Sequence, residues 1–358
     1  MSALHGPKEG APVTAQWSEI LLSADAPGGA ARALVADALI LDVIRPVWSP
    51  GTAAFVLREP ERFTPAVRYR VLATPQETER IAARLEKAAR GTDRAVGVRL
   101  MPQDSETFDL AEIFAGRGAD PAIAGLLAEL TGPVFEMLAS LRSGELSLLE
   151  TGFDLMVAAM VVINRDVFDA DRERDHPLAF ICYRSSADGF LLMCRDPAHA
   201  REQFDAAYRA GGAGFRERLE AVLSQLRDAG PVVSAPASAL AQVLAPAVPQ
   251  LRQLIESGQI EALTRPSGYI GDEFDLGPSA FHQIIQGSPQ FQQFMRTDSR
   301  FHTMRVCLSL LCAVLHQLGI RVIDRYVLSH CLACAAEDVF GVSSADVLSG
   351  LRVMRATM

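Results

Sequence analysis

The clearest structural signals in the chain lie between residues 53 and 88, in the stretch AAFVLREPERFTPAVRYRVLATPQETERIAARLEKA. Two apolar segments, 53 to 59 and 66 to 73, flank a charged turn, which predicts a β-hairpin. Thr74, Pro75 and Glu77 then supply a cap residue, a proline at the first helical position and a glutamate at the third. The stretch therefore predicts two strands followed by an α-helix.

The residues around this stretch extend the same pattern. Residues 17 to 23 and 95 to 102 predict two further strands, and an Ala-rich helix is expected to begin near residue 27 and run to about Ile44. Four strands with helices on one face would form a β-rich region over residues 1 to 104.

Beyond residue 105 the apolar residues recur at helical spacing. Three exceptions interrupt the pattern: a hairpin predicted in 178 to 194 around Asp188 and Gly189, a long loop over 264 to 279, and a short strand-like IRVI at 320 to 323. The fold class predicted is α+β, with a small mixed or antiparallel sheet in the N-terminal part and a mainly helical remainder over 105 to 358, either as a second domain or within one compact domain. The predicted helices are 119 to 142, 145 to 164, 198 to 209, 213 to 227, 236 to 257, about 300 to 318, and 324 to 340.

Composition excludes several classes of function. The 358 residues carry a net charge of -9, which disfavours nucleic acid as a partner because phosphates require a basic surface. No secretory signal and no run near the roughly 18 apolar residues of a membrane span is evident, so a cytoplasmic protein that does not enter the membrane is expected. The sequence lacks the glycine-rich nucleotide motifs, the serine-hydrolase motif and the zinc-protease motif.

The cysteines predict no metal site and no disulfide. All six lie in apolar segments, where a free thiol in a reducing compartment behaves as a small hydrophobic residue. Cys331 and Cys334 form a C-x-x-C in the middle of a predicted helix, without a second pair at zinc spacing. We therefore expect a structural role for this pair.

One predicted helix, RFHTMRVCLSLLCAVLHQLG at 300 to 319, is apolar on most of its surface and carries a single polar stripe. At 100° per residue the members of this stripe fall within an arc of about 80°. An otherwise buried helix must point such a stripe at solvent or at a polar cavity, because unpaired burial is costly. The stripe consists of His302, Arg305, Ser309, Cys312 and His316.

Two other groups of polar residues are candidates for binding. Arg68 and Arg70 share one face of a predicted strand, with Tyr69 on the other, and Arg58 lies on the adjacent strand. These arginines predict either a docking surface for carboxylates and peptide backbone or a solvated sheet face. Before the predicted hairpin turn, Tyr183 to Ser186 supply four polar groups, for which solvation is the simpler explanation.

The order of four segments resembles the thiopeptide pyridine synthases, which are related to the C-terminal elimination domain of lantibiotic dehydratases. The resemblance covers roughly residues 15 to 340. In elimination domains the Ser-x-x-His of the penultimate helix is followed by an Asn-Arg pair, whereas Val306 and Cys307 follow Ser299 and His302 here. This difference favours the stand-alone pyridine synthases. The segments begin at residues 55, 183, 288 and 318: FVLREPERFTPAVRYRVLATPQETERIAARLEKA, YRSSADGFLL, SPQFQQFMRTDSRFHTMRVCLSLL and LGIRVIDRYVLSHCLACAAEDVFG.

The resemblance implies an enzyme that joins two dehydroalanines of one modified peptide by a formal [4+2] aza-cycloaddition, with loss of water and of the leader peptide and with no cofactor. The implied partner is a ribosomally made precursor peptide with a leader and a dehydrated, azole-containing core, and a homodimer is conceivable. The β-rich region over residues 1 to 104 would dock the leader peptide. His302 would be the proton shuttle, with Ser299 and Arg305 as donors to the amide oxygen. The substrate-binding residues implied are Arg58, Arg68, Tyr69, Arg70, Tyr183, Ser186 and Ser309.

Two alternatives remain open at this stage. The chain could be the glutamate-eliminating, dehydroalanine-forming partner of a split lantibiotic-type dehydratase, which would need arginines around a glutamyl carboxylate and a base for the Cα proton. It could instead be a non-catalytic peptide-binding subunit, which would need only the β-rich region.

Overall fold

The structure is a computed structural model, and it describes residues 14–26, 30–58, 65–101, 120–168, 178–228, 233–261, 276–277 and 279–349. The chain divides into two compact units, Met1–Thr107 and Phe108–Met358. The first contains the strands and the second is helical, so the α+β fold class is confirmed.

The first unit contains a four-stranded antiparallel sheet in the order β2-β3-β1-β4. β2 pairs with β3, as the hairpin pattern predicted, and β1 lies between β3 and β4. The turn at 59 to 64 lies outside the described residues. The strands are β1 (Gln16–Ala24), β2 (Ala54–Arg58), β3 (Ala66–Ala73) and β4 (Val96–Leu100).

Two helices of the first unit accompany the sheet. α1 (Ala30–Ala38) continues into a π-helical segment, Leu39–Ile44, and α2 spans Pro75–Arg90. α2 begins with the predicted capping box: the Glu77 backbone N–H donates to Thr74 Oγ1 at 3.3 Å, and the Thr74 N–H donates to the Glu77 carboxylate at 2.9 Å. These reciprocal bonds satisfy backbone donors that the first turn of a helix cannot pair internally.

One face of the sheet forms the core of the first unit. Residues directly opposite in antiparallel strands share a face, so Tyr69 of β3 lies beside Ile20 of β1 and Val56 of β2. All three are almost fully buried. Burial raises the pKa of Tyr69 to about 12, opposed by the charge of Arg84, which places α2 against this face.

The helices of the second unit surround α4, in which every residue from Thr151 to Val162 is buried. Asp154 of this helix is 1% exposed, and its carboxylate accepts two hydrogen bonds from Arg218 on a neighbouring helix. The described helices are α3 (Asp120–Ser143), α4 (Leu148–Val162), α5 (Ile181–Leu192), α6 (Pro197–Asp228), α7 (Ala235–Glu256), α8 (Ala280–Gln286), α9 (Pro289–Thr297), α10 (Ser299–Gln317) and α11 (Val322–Phe340).

The hairpin predicted in 178 to 194 is wrong, because the structure has a short 3-10 turn followed by helix α5. An isolated Asp-Gly pair favours a turn, but Asp188 is held within the helix by an ion pair with Arg201 of α6 at 3.1 Å. Tertiary contacts thus override the local preference. The buried side chains of the segment recur at helical spacing: Tyr183, Ala187 and Leu191.

Two smaller expectations are also wrong. α6 is one continuous helix through Gly211, Gly212 and Gly214, where a break between two helices was predicted. The strand-like residues 320 to 323 form no strand, since α11 begins at Val322. Most of the loop predicted at 264 to 279 lies outside the described residues.

α3 is long and apolar enough to resemble a membrane-spanning helix. The stretch Pro121–Ser143 has the length and the mean hydropathy, 1.4, of a spanning helix, contrary to the expectation that no such run exists. However, 56% of the most apolar 18-residue window in that stretch is buried inside the fold, with Leu127, Leu130 and Val134 almost fully enclosed. This burial is what a core helix of a soluble protein shows.

Candidate active site

The polar stripe predicted from the sequence lies along α10, and we call it the α10 polar face. Its members are half-buried except Ser309, which is 5% exposed. From Phe301 onward the rest of α10 is buried, apart from Leu308, which is half-buried. The α10 polar face is therefore the side of this helix that is partly exposed. It consists of His302, Arg305, Ser309, Cys312 and His316.

His302 has a defined tautomer. α10 begins behind the cap residue Asp298, and this places the His302 ring beside the end of α9, where Nε2 lies 3.0 Å from the carbonyl oxygen of Met295. A carbonyl oxygen only accepts hydrogen bonds, so Nε2 must carry the proton. The lone pair of the neutral ring is then on Nδ1, which can accept a proton from a substrate.

The two serines of this helix already donate to acceptors within the protein. Ser299 donates to the carboxylate of Glu256 on α7 at 2.8 Å, and Ser309 donates to the backbone oxygen of Arg305 at 2.9 Å. A serine hydroxyl has one proton but two lone pairs. In this arrangement each serine can still accept a hydrogen bond, for instance from a peptide N–H.

α5 carries a line of half-buried residues one turn apart, Cys182, Ser186 and Phe190. The sulfur of Cys182 lies 2.9 Å from that of Met304, a buried residue of α10, so the first turn of α5 touches α10. The candidate residue Ser186 is in the middle of the line. Tyr183 points elsewhere: it is 4% exposed and its hydroxyl donates to the Met156 carbonyl at 2.6 Å.

α11 contributes two residues that sequence reasoning missed, Arg325 and Tyr326. The guanidinium of Arg325 lies close to the thiol of Cys312 and to the hydroxyl of Tyr326. Burial opposes the charge, but these two neighbours outweigh it and raise the pKa of Arg325. The predicted helix over 324 to 340 already placed Arg325 in a first turn, but its proximity to Cys312 depends on how α11 packs, which the sequence does not show.

A second polar group, also missed, joins α5, α6 and α11. Arg184 donates to Glu337 at 2.6 Å and to Nδ1 of His330 at 3.3 Å, and Nε2 of His330 lies 2.9 Å from the carboxylate of Asp205. Because arginine only donates, Nδ1 accepts and Nε2 carries the proton. Burial and the Arg184 charge lower the pKa of His330 to about 4 despite Asp205, so the contact with Asp205 is a hydrogen bond from a neutral ring.

A third polar group links α5 to the start of α8. Ser279, the cap residue of α8, donates to Asp188 at 2.7 Å and lies 2.9 Å from Nδ1 of His282. The serine proton is directed at the carboxylate, so His282 donates from Nδ1. Burial lowers the pKa of His282 to about 4, which keeps the ring neutral. The sequence had singled out Asp188 and Gly189 as a hairpin turn, not as part of a polar group.

The arginines of the first unit do not form one surface. Arg68 and Arg70 lie on the same sheet face as Glu19, which pairs with Arg68 at 2.7 Å and approaches Arg70 at 3.9 Å. Arg58 is opposite Val67 in the register and so lies on the other face, where it pairs with Asp37 of α1. Tyr69, a further candidate, is buried in the sheet core.

A cavity of about 610 Å³ in the first unit does not involve these residues. It lies between the π-helical segment and the turn from α2 to β4, where Asp42, Asp93 and Arg94 contribute charged groups. None of the candidate residues named from the sequence lines it. Within the described ranges, no group of three or more His, Cys, Asp or Glu side chains could hold a metal ion.

No model of a known protein family and no curated protein sequence matches the chain. Among solved structures, TsrL superposes with a TM-score of 0.71 and 21% identity over 94% of this chain and 98% of its own. The pyridine synthase TbtD from thiomuracin biosynthesis superposes with a TM-score of 0.62 and 22% identity over 91% and 99%. The chain has the pyridine synthase fold.

This pyridine synthase fold matches the resemblance seen in the sequence. A third structure, the tRNA-dependent lantibiotic dehydratase MibB from Microbispora sp. 107891, has a TM-score of 0.44 and 17% identity over 93% of this chain and 28% of its own.

Proposed function

We propose that the protein is a cytoplasmic pyridine synthase of thiopeptide biosynthesis. It joins two dehydroalanines of a modified precursor peptide by a formal [4+2] aza-cycloaddition, with loss of water and of the leader peptide. The observation that supports this function best is the fold shared with TbtD, which extends over nearly the full length of both chains.

The reaction requires two contributions from the protein. It must bring two distant alkenes of a long peptide together, a proximity effect that lowers the barrier substantially. It must also move the amide proton that precedes one dehydroalanine from nitrogen to oxygen, and later remove protons as the ring becomes aromatic. Ordinary side chains that donate and accept protons are sufficient for both.

We assign the proton transfers to the α10 polar face. The lone pair of His302 on Nδ1 is the proton acceptor, since Nε2 is engaged by Met295. Arg305, three residues later on the same side of the helix, donates to the amide oxygen. Ser299 donates to Glu256, so its role as a donor to substrate requires that this bond break, whereas it can accept a peptide N–H without any change.

Peptide docking is assigned to the first unit and to α5. Arg68 and Arg70 remain the candidates for a leader carboxylate, which would have to compete with Glu19 for them. Ser186, half-buried one turn after Cys182 on α5, is the candidate for contact with the core peptide. Arg58, Tyr69 and Tyr183 have partners or burial in the protein interior, and we propose structural roles for them.

Mass spectrometry of two incubations tests the function. With a fully dehydrated precursor, a pyridine synthase releases the leader and leaves a core that has also lost water. With a glutamylated precursor, an elimination enzyme releases glutamate instead. Binding of both peptides without any mass change indicates a non-catalytic subunit, and either of these last two outcomes would refute the proposal.

A further inference from the structure

Arg325 brings a positive charge to the α10 polar face from a neighbouring helix. Its guanidinium lies close enough to Cys312, in the second half of that face, to interact with the thiol electrostatically. On the same side of α10, Arg305 lies two turns before Cys312 and His316 one turn after it, about 10 Å and 6 Å along the axis. Donor groups from two helices therefore converge on one line.

The position of Arg325 is fixed by stacked rings. Its Cζ atom lies 5.2 Å from the centroid of the Tyr326 ring. Tyr326 stacks on Phe190 of α5 at 4.4 Å with an interplanar angle of 20°, and Phe190 stacks in turn on Phe204 of α6 at 6.1 Å. Ring contacts of this kind limit the motion of an arginine, so little conformational entropy remains to be lost when it binds a ligand.

The chemistry of Arg325 selects oxygen acceptors. A guanidinium has five N–H donors and no acceptor, and its planar shape matches carbonyl and carboxylate groups. The first turn of a helix disfavours a cation, because the helix dipole is positive there. An arginine at this point weakens α11 and is expected where contacts outside the helix require it.

We infer that Arg325 is a substrate-binding residue that, together with Arg305, holds backbone carbonyl oxygens of the peptide along the α10 polar face. This inference rests on the proposed function, because it takes the α10 polar face as the reaction surface. Along α10, Arg305 and the Cys312 position near Arg325 are about 10 Å apart, which corresponds to about three residues of extended chain. Tyr326 acts on the peptide only through Arg325 and is a positioning residue.

The test compares Arg325→Gln with Arg321→Gln. Arg321 is a matched control one turn earlier, exposed and paired with Asp324 at 2.7 Å. Titration calorimetry with the dehydrated precursor gives Kd, and ring formation gives KM and kcat. We expect Arg325→Gln to raise Kd and KM about tenfold or more, as loss of a hydrogen bond from a charged donor does, and Arg321→Gln to leave both within about twofold.

A double-mutant cycle separates positioning from packing. Tyr326→Leu should raise Kd less than Arg325→Gln, and adding Tyr326→Leu to Arg325→Gln should raise it no further, since the tyrosine acts through the arginine. Purely structural damage would instead add in the double variant and overturn this assignment. Circular dichroism checks that each variant folds, and Arg325→Lys, which keeps the charge but not the planar fork, supplies the comparison if Arg325→Gln does not.

The outcomes distinguish the two proposals. If the wild type closes the ring and Arg325→Gln behaves as Arg321→Gln does, the inference is overturned and the function stands. If the wild type binds the peptide in an Arg325-dependent way but closes no ring, the inference stands and the function is refuted. If the wild type neither binds nor reacts, both are refuted.

Discussion

Replacing Asp154 by Ala should remove a large part of the stability of the helical unit. The carboxylate is 1% exposed, and it accepts hydrogen bonds from Nε and Nη2 of Arg218 at 2.7 and 2.5 Å. Breaking a buried ion pair by removing one partner costs about 3–5 kcal/mol, because the remaining charge is left in a poor environment. The Arg218 side chain is 31% exposed and can recover some hydration, so we expect about 3 kcal/mol.

A second ion pair of α6 supplies the control. Arg216, two residues before Arg218, pairs with Asp338 at 3.0 Å, but both side chains are more than a third exposed. Exposed pairs contribute about 0–1 kcal/mol, so Asp338→Ala should cost no more than about 1 kcal/mol. Urea unfolding followed by circular dichroism at 222 nm (the helix signal) gives both values. Equal losses in the two variants would show that the burial of Asp154 has no energetic consequence, and the reasoning would fail.

Three further predictions concern function and pH. His302→Ala should lower kcat for ring formation about a hundredfold while leaving the Kd of the leader unchanged, and equal loss of binding would contradict its role in proton transfer. Burial holds the pKa of His330 at about 4 in the folded state, below its ordinary 6.5. The neutral ring therefore contributes its full stability above pH 6.5, and the free energy of unfolding decreases as the pH falls from 6.5 towards 4. His330→Gln should therefore unfold with a weaker pH dependence over that interval, and an unchanged urea midpoint profile would refute this. Replacing both Arg68 and Arg70 by Ala should weaken leader binding and reduce its sensitivity to salt, whereas unchanged affinity in fluorescence titrations would remove the first unit from docking.

The fold was predictable where a local signal and the tertiary structure agree. Thr74 and Glu77 begin α2 through bonds within one turn, so the sequence alone contains the information. The segment around Asp188 is the opposite case. Its Asp-Gly pair favours a turn, whereas contacts with other helices, among them the ion pair with Arg201 and the hydrogen bond from Ser279, stabilise the helical conformation.

The candidate site was predictable as a stripe but not as an arrangement. Periodicity identified the α10 polar face because a narrow polar line on an apolar helix needs no knowledge of neighbours. Arg325 could not be found in this way, since its contact with Cys312 depends on how α11 packs. Similarly, Arg58 lies on the face opposite Arg68 because strand register decides the face, and a shift of one residue reverses it.

In each hydrogen bond around His330 the donor and the acceptor are fixed, and this has an evolutionary consequence. Asp205 accepts from the ring, the ring accepts from Arg184, and Glu337 accepts from Arg184. Loss of one member leaves a buried donor or acceptor unsatisfied, whereas loss of all of them together can be nearly neutral. Among homologous sequences these four positions should therefore be inherited as a block, conserved together or replaced together by apolar residues.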